Sequence, residues 1–368
     1  MRILVESTQE EITSIVSSVF SVKSINQNLD ALQFEIEQEG FKQKFVELVR
    51  ILESKNLVAR LERFEGRIIL LVGKFTPPKS RRTWIPRILF AVTIAMVMID
   101  GYYRTSAANL LTYLGDPLNT AVLYTISLIG ILGIHELGHM MASKWHKLKT
   151  SWPYFIPGIP VFGIPTFGAF ISARSFMTNR DTLFDVGISG PIAGLIVAII
   201  VSTFGAYISP MVPAEQAQSL FSKSDIVQVH PSIIMSGTIA LAGKTVEGME
   251  LIMSPVLYAA WLGFLLTFLN LLPAWQLDGG HIARATLGRK WHKITTYIGI
   301  AILLVLGYWF MAFFVLSFSM RSPDVRPLDD ISPLSNKRKK TVYTCVGSCC
   351  FDCTASIFND ALTKKNQK

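Results

Sequence analysis

Hydrophobic and polar residues change their rhythm near residue 80 of this chain. Before that point they follow the short periods of a half-buried fold. Residues 8–20 read as a helix, and Ala31–Glu37 alternates like a strand. Phe41–Lys55 places Phe45, Leu48, Val49 and Leu52 on one helical face. LVARLERFEGRIILLVGKF reads as two strands turning near Glu65–Gly66. The order helix, strand, helix, strand, strand predicts a small soluble α+β domain over residues 1–78. FTPPKSRRT, Phe75–Thr83, cannot continue a strand because of its proline pair and charges, so residues 79–84 read as a basic linker.

Beyond the linker the alternation gives way to long apolar runs. Five of them, near 85–104, 119–144, 183–209, 254–275 and 294–318, are long enough to cross a ~30 Å hydrocarbon layer as helices. Between the second and third lies PYFIPGIPVFGIPTFGAFI, Pro153–Ile171, where repeated proline and glycine exclude an ordinary spanning helix. A re-entrant hairpin fits that segment, because irregular backbone at membrane depth must be covered by protein or line a wet cavity. The fold class expected is therefore a polytopic α-helical membrane protein of five to six transmembrane helices with a re-entrant hairpin, preceded by the soluble α+β domain. The membrane domain is expected over residues 85–320, and residues 321–368 form a tail or a weak further span near 341–358.

Composition agrees with this division. Only 17% of residues are charged and 50% are hydrophobic, with a mean hydropathy of +0.40, whereas soluble domains carry about 25% charged residues. The net charge of +9 does not indicate a nucleic-acid partner. Its basic residues stand beside the apolar runs, with Lys79, Arg81, Arg82 and Arg87 before the first and Lys144, Lys147 and Lys149 after the second. That placement suits topology and anionic lipid, so the bilayer is the expected partner. The same rule puts the N-terminus in the cytoplasm of a multi-pass cell-membrane protein, and residues 210–253 outside. MRILVESTQEEITSIVSSVFSVKSINQNLD lacks the apolar core of a cleavable signal. One conflict arises: Lys337–Lys340 fall outside if the fifth run crosses once. Cys345, Cys349, Cys350 and Cys353 all lie in the tail, without a second group at zinc-finger spacing.

Chemistry concentrates in ILGIHELGHMMASKW. His135 and His139, four apart, share one helical face and can hold one Zn²⁺, while Glu136 beside them can take a proton from water. Ionisable residues inside an apolar run are costly and point to function. At 1.5 Å per residue, His135 lies ~14 Å and His139 ~8 Å from the charged end at Lys144. A catalytic zinc needs a third protein ligand. The metzincin pattern fails, since Ala142 and Trp145 stand where glycine and histidine belong, and the next glutamate after Glu136 is Glu215. His146 reads as an interfacial histidine. Asp181 and Asp185 are candidates that read better as caps of the third span. The best candidate is Asp278 in NLLPAWQLDGGH, where Pro273 breaks the fourth span and Gly279 and Gly280 permit close backbone approach.

His135-Glu136-x-x-His139 together with Asn270-x-x-Pro273-x-x-x-Leu277-Asp278-Gly279 resembles the site-2 protease family of intramembrane metalloproteases, over roughly residues 85–318. FGAFISARS and GISGPIAG resemble the archaeal and chloroplast branch that lacks an inserted PDZ domain. The resemblance implies one Zn²⁺ per chain on His135, His139 and Asp278, with Glu136 as general base and acid. It implies a substrate- or oxyanion-steadying role for Asn270, and transmembrane proteins as substrates. It also implies that Pro153–Ile171 pairs with an unwound substrate strand, whereas Gly190-Pro191 and Gly194 serve close helix packing. Two alternatives are a membrane zinc peptidase of another family acting on soluble peptides, and a non-catalytic chaperone or transporter with a protease-like shell.

Overall fold

The structure is a computed structural model that describes residues 6–28, 31–37, 40–75, 84–110, 112–160, 164–171, 175–223, 231–321 and 325–341. Residues 76–83, which hold all of the expected linker 79–84 except Trp84, and the four cysteines lie outside the described residues, as does nearly all of the expected sixth span.

Helix α1 (Glu6–Val19) is followed by β1 (Val22–Asn28), β2 (Ala31–Ile36), α2 (Phe41–Ser54), β3 (Leu57–Phe64) and β4 (Arg67–Lys74). The strands form one antiparallel sheet in the order β1-β2-β4-β3. Strict alternation in β2, β3 and β4 buries one face. Phe34, Leu61, Ile68, Leu70 and Val72 pack there against Ile12 and Val16 of α1 and Phe45, Leu48, Val49 and Leu52 of α2. Those four α2 residues are the ones the periodicity selects. The β3–β4 turn puts Glu65 and Gly66 at φ 48° and 81°, the left-handed pair that a two-residue hairpin requires. Strand β1 is absent from the pattern-based reading. VKSINQN is polar and exposed along the sheet edge, so it carries no apolar alternation.

Among the described residues, three helices are long and apolar enough to cross a bilayer: α3 (Trp84–Ala108), α4 (Pro117–Trp145) and α5 (Arg180–Ile208). Asp116 caps α4 by accepting from the Asn119 amide, with Pro117 in the first turn. Asn179, not Asp181 or Asp185, caps α5 by accepting from the Thr182 amide. Between α4 and α5 the proline-rich segment forms an antiparallel β-hairpin, β5 (Tyr154–Ile159) and β6 (Ile164–Phe170). After α5 come β7 (Met211–Pro213), α6 (Ala214–Lys223), α7 (Ile233–Leu241) and β8 (Met249–Leu251). Helix α8 (Pro255–Leu271) has 17 residues, about 25 Å. It is shorter than the expected 254–275 run because Leu272–Leu277 turn away from it.

Small residues let the bundle close up. A Cβ on Gly101 of α3 would lie 2.6 Å from the Tyr124 ring of α4, and one on Gly205 of α5 would lie 2.6 Å from the Leu257 amide of α8. One buried polar cluster adds specific ties. Asp100 accepts from the Tyr124 hydroxyl at 2.7 Å and from Arg104 Nε at 2.6 Å. Arg104 also lies 4.0 Å from the Tyr258 ring centroid, so α3 is fastened to both α4 and α8.

The fifth apolar run is not one helix. Helix α9 (Asp278–Val305) breaks at Gly288, whose φ of 82° and ψ of −179° are non-helical. It ends at Leu306–Tyr308, where Gly307 takes φ 82° and the Tyr308 amide donates to the Leu303 carbonyl. That is the glycine stop that ends many helices. Helix α10 (Trp309–Arg321) then packs Ala312 and Val315 against Ile300 and Leu303 of α9.

The segment 325–341 returns to the N-terminal sheet and to the start of α5. The Leu61 amide of β3 donates to the Leu328 carbonyl, and the Leu328 and Asp329 amides donate to Met177 and Thr178. Arg338 pairs with Asp185 and Asp181, and Lys42 of α2 also pairs with Asp181. Arg338 thus lies against the start of α5, and Lys339 near Phe41 and Lys42 at the start of α2.

Candidate metal centre

Helix α4 supplies two imidazoles from successive turns. His135 Nε2 and His139 Nε2 lie 3.2 Å apart. Asp278, the first residue of α9, offers one oxygen to each ring, at 3.2 Å from His135 and 3.3 Å from His139. These three side chains form a candidate ligand group. For a tetrahedral ion with ligands at ~2.0–2.1 Å, the edge between two ligands is ~3.3–3.4 Å. The donor set suits such an ion: two imidazole nitrogens 3.2 Å apart, and a carboxylate whose two oxygens come within 3.2 and 3.3 Å of them, one to each ring. The orientation of one ring is also fixed. His139 Nδ1 lies 2.7 Å from the Val186 carbonyl, which can only accept, so Nδ1 carries a proton and Nε2 is the nitrogen turned to the centre.

Helix α5 makes room for the rings. A Cβ on Gly190 would lie 2.1 Å from His139 Nε2, and one on Gly194 would lie 3.0 Å from His135 Nδ1. Gly187, three residues earlier on the same face, meets His281 and the Asp278 carbonyl. The sequence reading treated Gly190 and Gly194 as packing residues alone. Their signal was present in the spacing 187, 190, 194, which lines one helical face, but only the fold shows that this face meets the ligands.

Asp278 is placed by a tight turn. A Cβ on Gly279 would come within 1.9 Å of the Leu271 carbonyl, and one on Gly280 within 2.2 Å of the Trp275 carbonyl. Both contacts exclude any side chain, as the close-approach reading of the two glycines expects.

Glu136 is buried, 5% exposed, next to His135 and within electrostatic reach of both rings and Asp278. Asn270, in the last turn of α8, is half-buried and makes no hydrogen bond with the three candidate ligands among the described residues. The rejected candidates are engaged elsewhere. His146 lies 2.8 Å from Asp185, and Asp181 accepts from Lys42 and from the Ser335 amide. A burial-favoured rise in the Asp330 carboxyl is overcome by the Arg284 and Arg180 guanidiniums, which hold it below the usual carboxylate range.

A paired-histidine helix and an acidic third donor within an apolar bundle define a candidate metal centre of a helical, membrane-type protein, and comparison with known proteins gives the family. Residues 123–306 match the model of peptidase family M50, and the chain belongs to that family. It is 30% identical over 216 residues to the probable zinc metalloprotease EGY2, chloroplastic, of Oryza sativa subsp. indica, covering 56% of this chain and 36% of the relative. It is 28% identical over 306 residues to the probable zinc metalloprotease EGY1, chloroplastic, of Arabidopsis thaliana, covering 74% and 54% respectively. The chain thus spans about half or less of the length of these relatives. No solved structure matches it.

Proposed function

We propose that this chain is an intramembrane zinc endopeptidase that hydrolyses peptide bonds of transmembrane protein substrates. The observation that carries the reading is the convergence of His135, His139 and Asp278 between α4 and α9 inside an apolar bundle. Family membership and the names of the zinc metalloprotease relatives support the choice of zinc.

His135, His139 and Asp278 would hold the ion, one per chain. Zinc when bound supplies Lewis acidity to a water and to the scissile carbonyl. Glu136 accepts the proton of the attacking water and returns it to the leaving amine nitrogen. Glu136 is 5% exposed, so little bulk solvent competes with that proton transfer. Asn270 would donate its side-chain amide to the substrate carbonyl or the oxyanion, a role that needs no charge at bilayer depth.

The β5–β6 hairpin would sit within the membrane and offer an edge to an unwound substrate segment, which needs backbone partners there. Four crossings, α3, α4, α5 and α8, fit the charge distribution. The second half of α9 and α10 enter and leave from one side. With basic residues at that side, the N-terminal domain and the segment 325–341 would face the cytoplasm of a cell membrane. Lipid and membrane substrates are the partners in this reading, and nucleic acid is not.

The test is proteolysis of a purified single-span substrate by purified full chain. Wild type cleaves it, whereas Glu136→Gln and chelated protein lose at least ~10²-fold in rate. Cleavage by Glu136→Gln at the wild-type rate removes the peptidase reading.

A further inference from the structure

We propose that His292 and Thr296 are positioning residues for Asp278, acting through the backbone of Trp275. The inference rests on the metal-centre reading above.

Asp278 is reached through a short turn, Leu272–Leu277, which contains Pro273 and is closed by bonds from the Ala274 amide to the Leu272 carbonyl and from the Leu277 amide to the Ala274 carbonyl. Trp275 stands at its middle with φ 46°, a left-handed conformation that a large side chain rarely adopts. Both backbone groups of that residue are claimed by the far half of α9. The Trp275 amide donates to Thr296 Oγ1 at 3.0 Å. Thr296 spends its own proton on the His292 carbonyl at 2.8 Å, which leaves its oxygen as the acceptor. The Trp275 carbonyl lies 2.9 Å from His292 Nε2, so that nitrogen must be the donor. His292 and Thr296 are 5% and 6% exposed. Gly299 completes the stripe, since a Cβ there would lie 3.0 Å from Ala274 Cβ. Positions 292, 296 and 299 are spaced i, i+4, i+7 and form one helical face.

That face reaches the ligand in one further contact. The Trp275 carbonyl held by His292 is the group against which Gly280 packs, in the first turn that begins with Asp278. If Trp275 shifts, the start of α9 and its carboxylate shift with it. The Gly288 break gives this arrangement a purpose. It lets the two halves of α9 depart from one line, so the second half can buttress the turn that launches the first.

The test is titration of metal-free, full-length protein with Zn²⁺, and with Co²⁺ followed by its ligand-field absorption, in the absence of substrate. His292→Leu and Thr296→Val should weaken metal affinity about 10- to 100-fold, as loss of an outer partner does, and should alter the Co²⁺ spectrum. His292→Gln, which keeps an N–H donor, and Thr296→Ser should restore wild-type affinity and spectrum. Val97→Ala, fully buried in a separate cluster with Tyr124 and Leu128, should lower thermal stability and leave affinity unchanged. Wild-type affinity in both His292→Leu and Thr296→Val overturns the proposal. So does failure of both conservative variants to rescue, or equal weakening by Val97→Ala. If wild type itself takes up no metal, the metal-centre reading falls first and this inference with it.

Discussion

The two sides of the metal centre are built by different means. On one side, His135 and His139 sit on a single uninterrupted helix of 29 residues, and the helical repeat alone brings their rings together. On the other, Asp278 stands at the first residue of α9, after a turn with a left-handed Trp275 and before a helix that breaks at Gly288. The first side is local and needs only clearance from α5. The second is assembled from the two glycines that follow Asp278 and from parts farther along the chain, α9's distal half and the 325–341 segment. Local geometry survives perturbation elsewhere, whereas assembled geometry depends on each of its supports.

The comparison can be broken hardest at the clearance. Gly190→Ala puts a methyl where His139 Nε2 now lies, 2.1 Å from the ideal Cβ position. Because the new side chain meets a ring on a packed helix, the ring must leave the centre. We expect stoichiometric zinc binding to be lost while circular dichroism and size-exclusion behaviour remain those of the wild type. Full zinc content in Gly190→Ala would show that the α4 pair does not need this face.

A smaller effect is expected on the assembled side. Arg284, six residues after Asp278, is 0% exposed and pairs with Asp330 through both nitrogens, at 3.0 and 2.6 Å. Asp330→Asn leaves that guanidinium without its counter-charge, and breaking a buried pair in this way costs about 3–5 kcal/mol. Thermal unfolding of the two proteins in detergent measures the difference. The pH dependence has a definite sign. The folded Asp330 carboxyl lies below the usual range, first against the opposing pull of burial and then by virtue of Arg284 and Arg180. Its contribution is complete above the unfolded value of about 3.9 and is lost as pH falls through the lower folded value. Wild type should therefore lose stability on acidification more steeply than Asp330→Asn, with the gap between them closing in acid.

The same contrast explains what could be read from the amino-acid order. Local periodicity reveals α2 with its buried Phe45, Leu48, Val49 and Leu52, and the β3–β4 hairpin at Glu65–Gly66. It also reveals the His135–His139 pair. Strand β1 escapes because its polar residues line an exposed edge. The fifth apolar run looks continuous, since Gly307 changes hydropathy little while its positive φ ends a helix. The return of residues 325–341 is invisible to any local pattern, since it depends on Asp330, Arg338 and the Leu328 backbone meeting α9, α5 and β3. Gly190 was conspicuous as a small residue, but its partner, a ring nitrogen on another helix, is a property of the packing.

The central claim is that residues 135, 139 and 278 share one ion, and metal content of purified protein tests it most directly. Wild type and Glu136→Gln should each retain one Zn²⁺ per chain after dialysis, because Glu136 is not a ligand in this account. Asp278→Ala should retain little, despite keeping both rings. Retention of a full equivalent by Asp278→Ala, at unchanged affinity, would contradict the account.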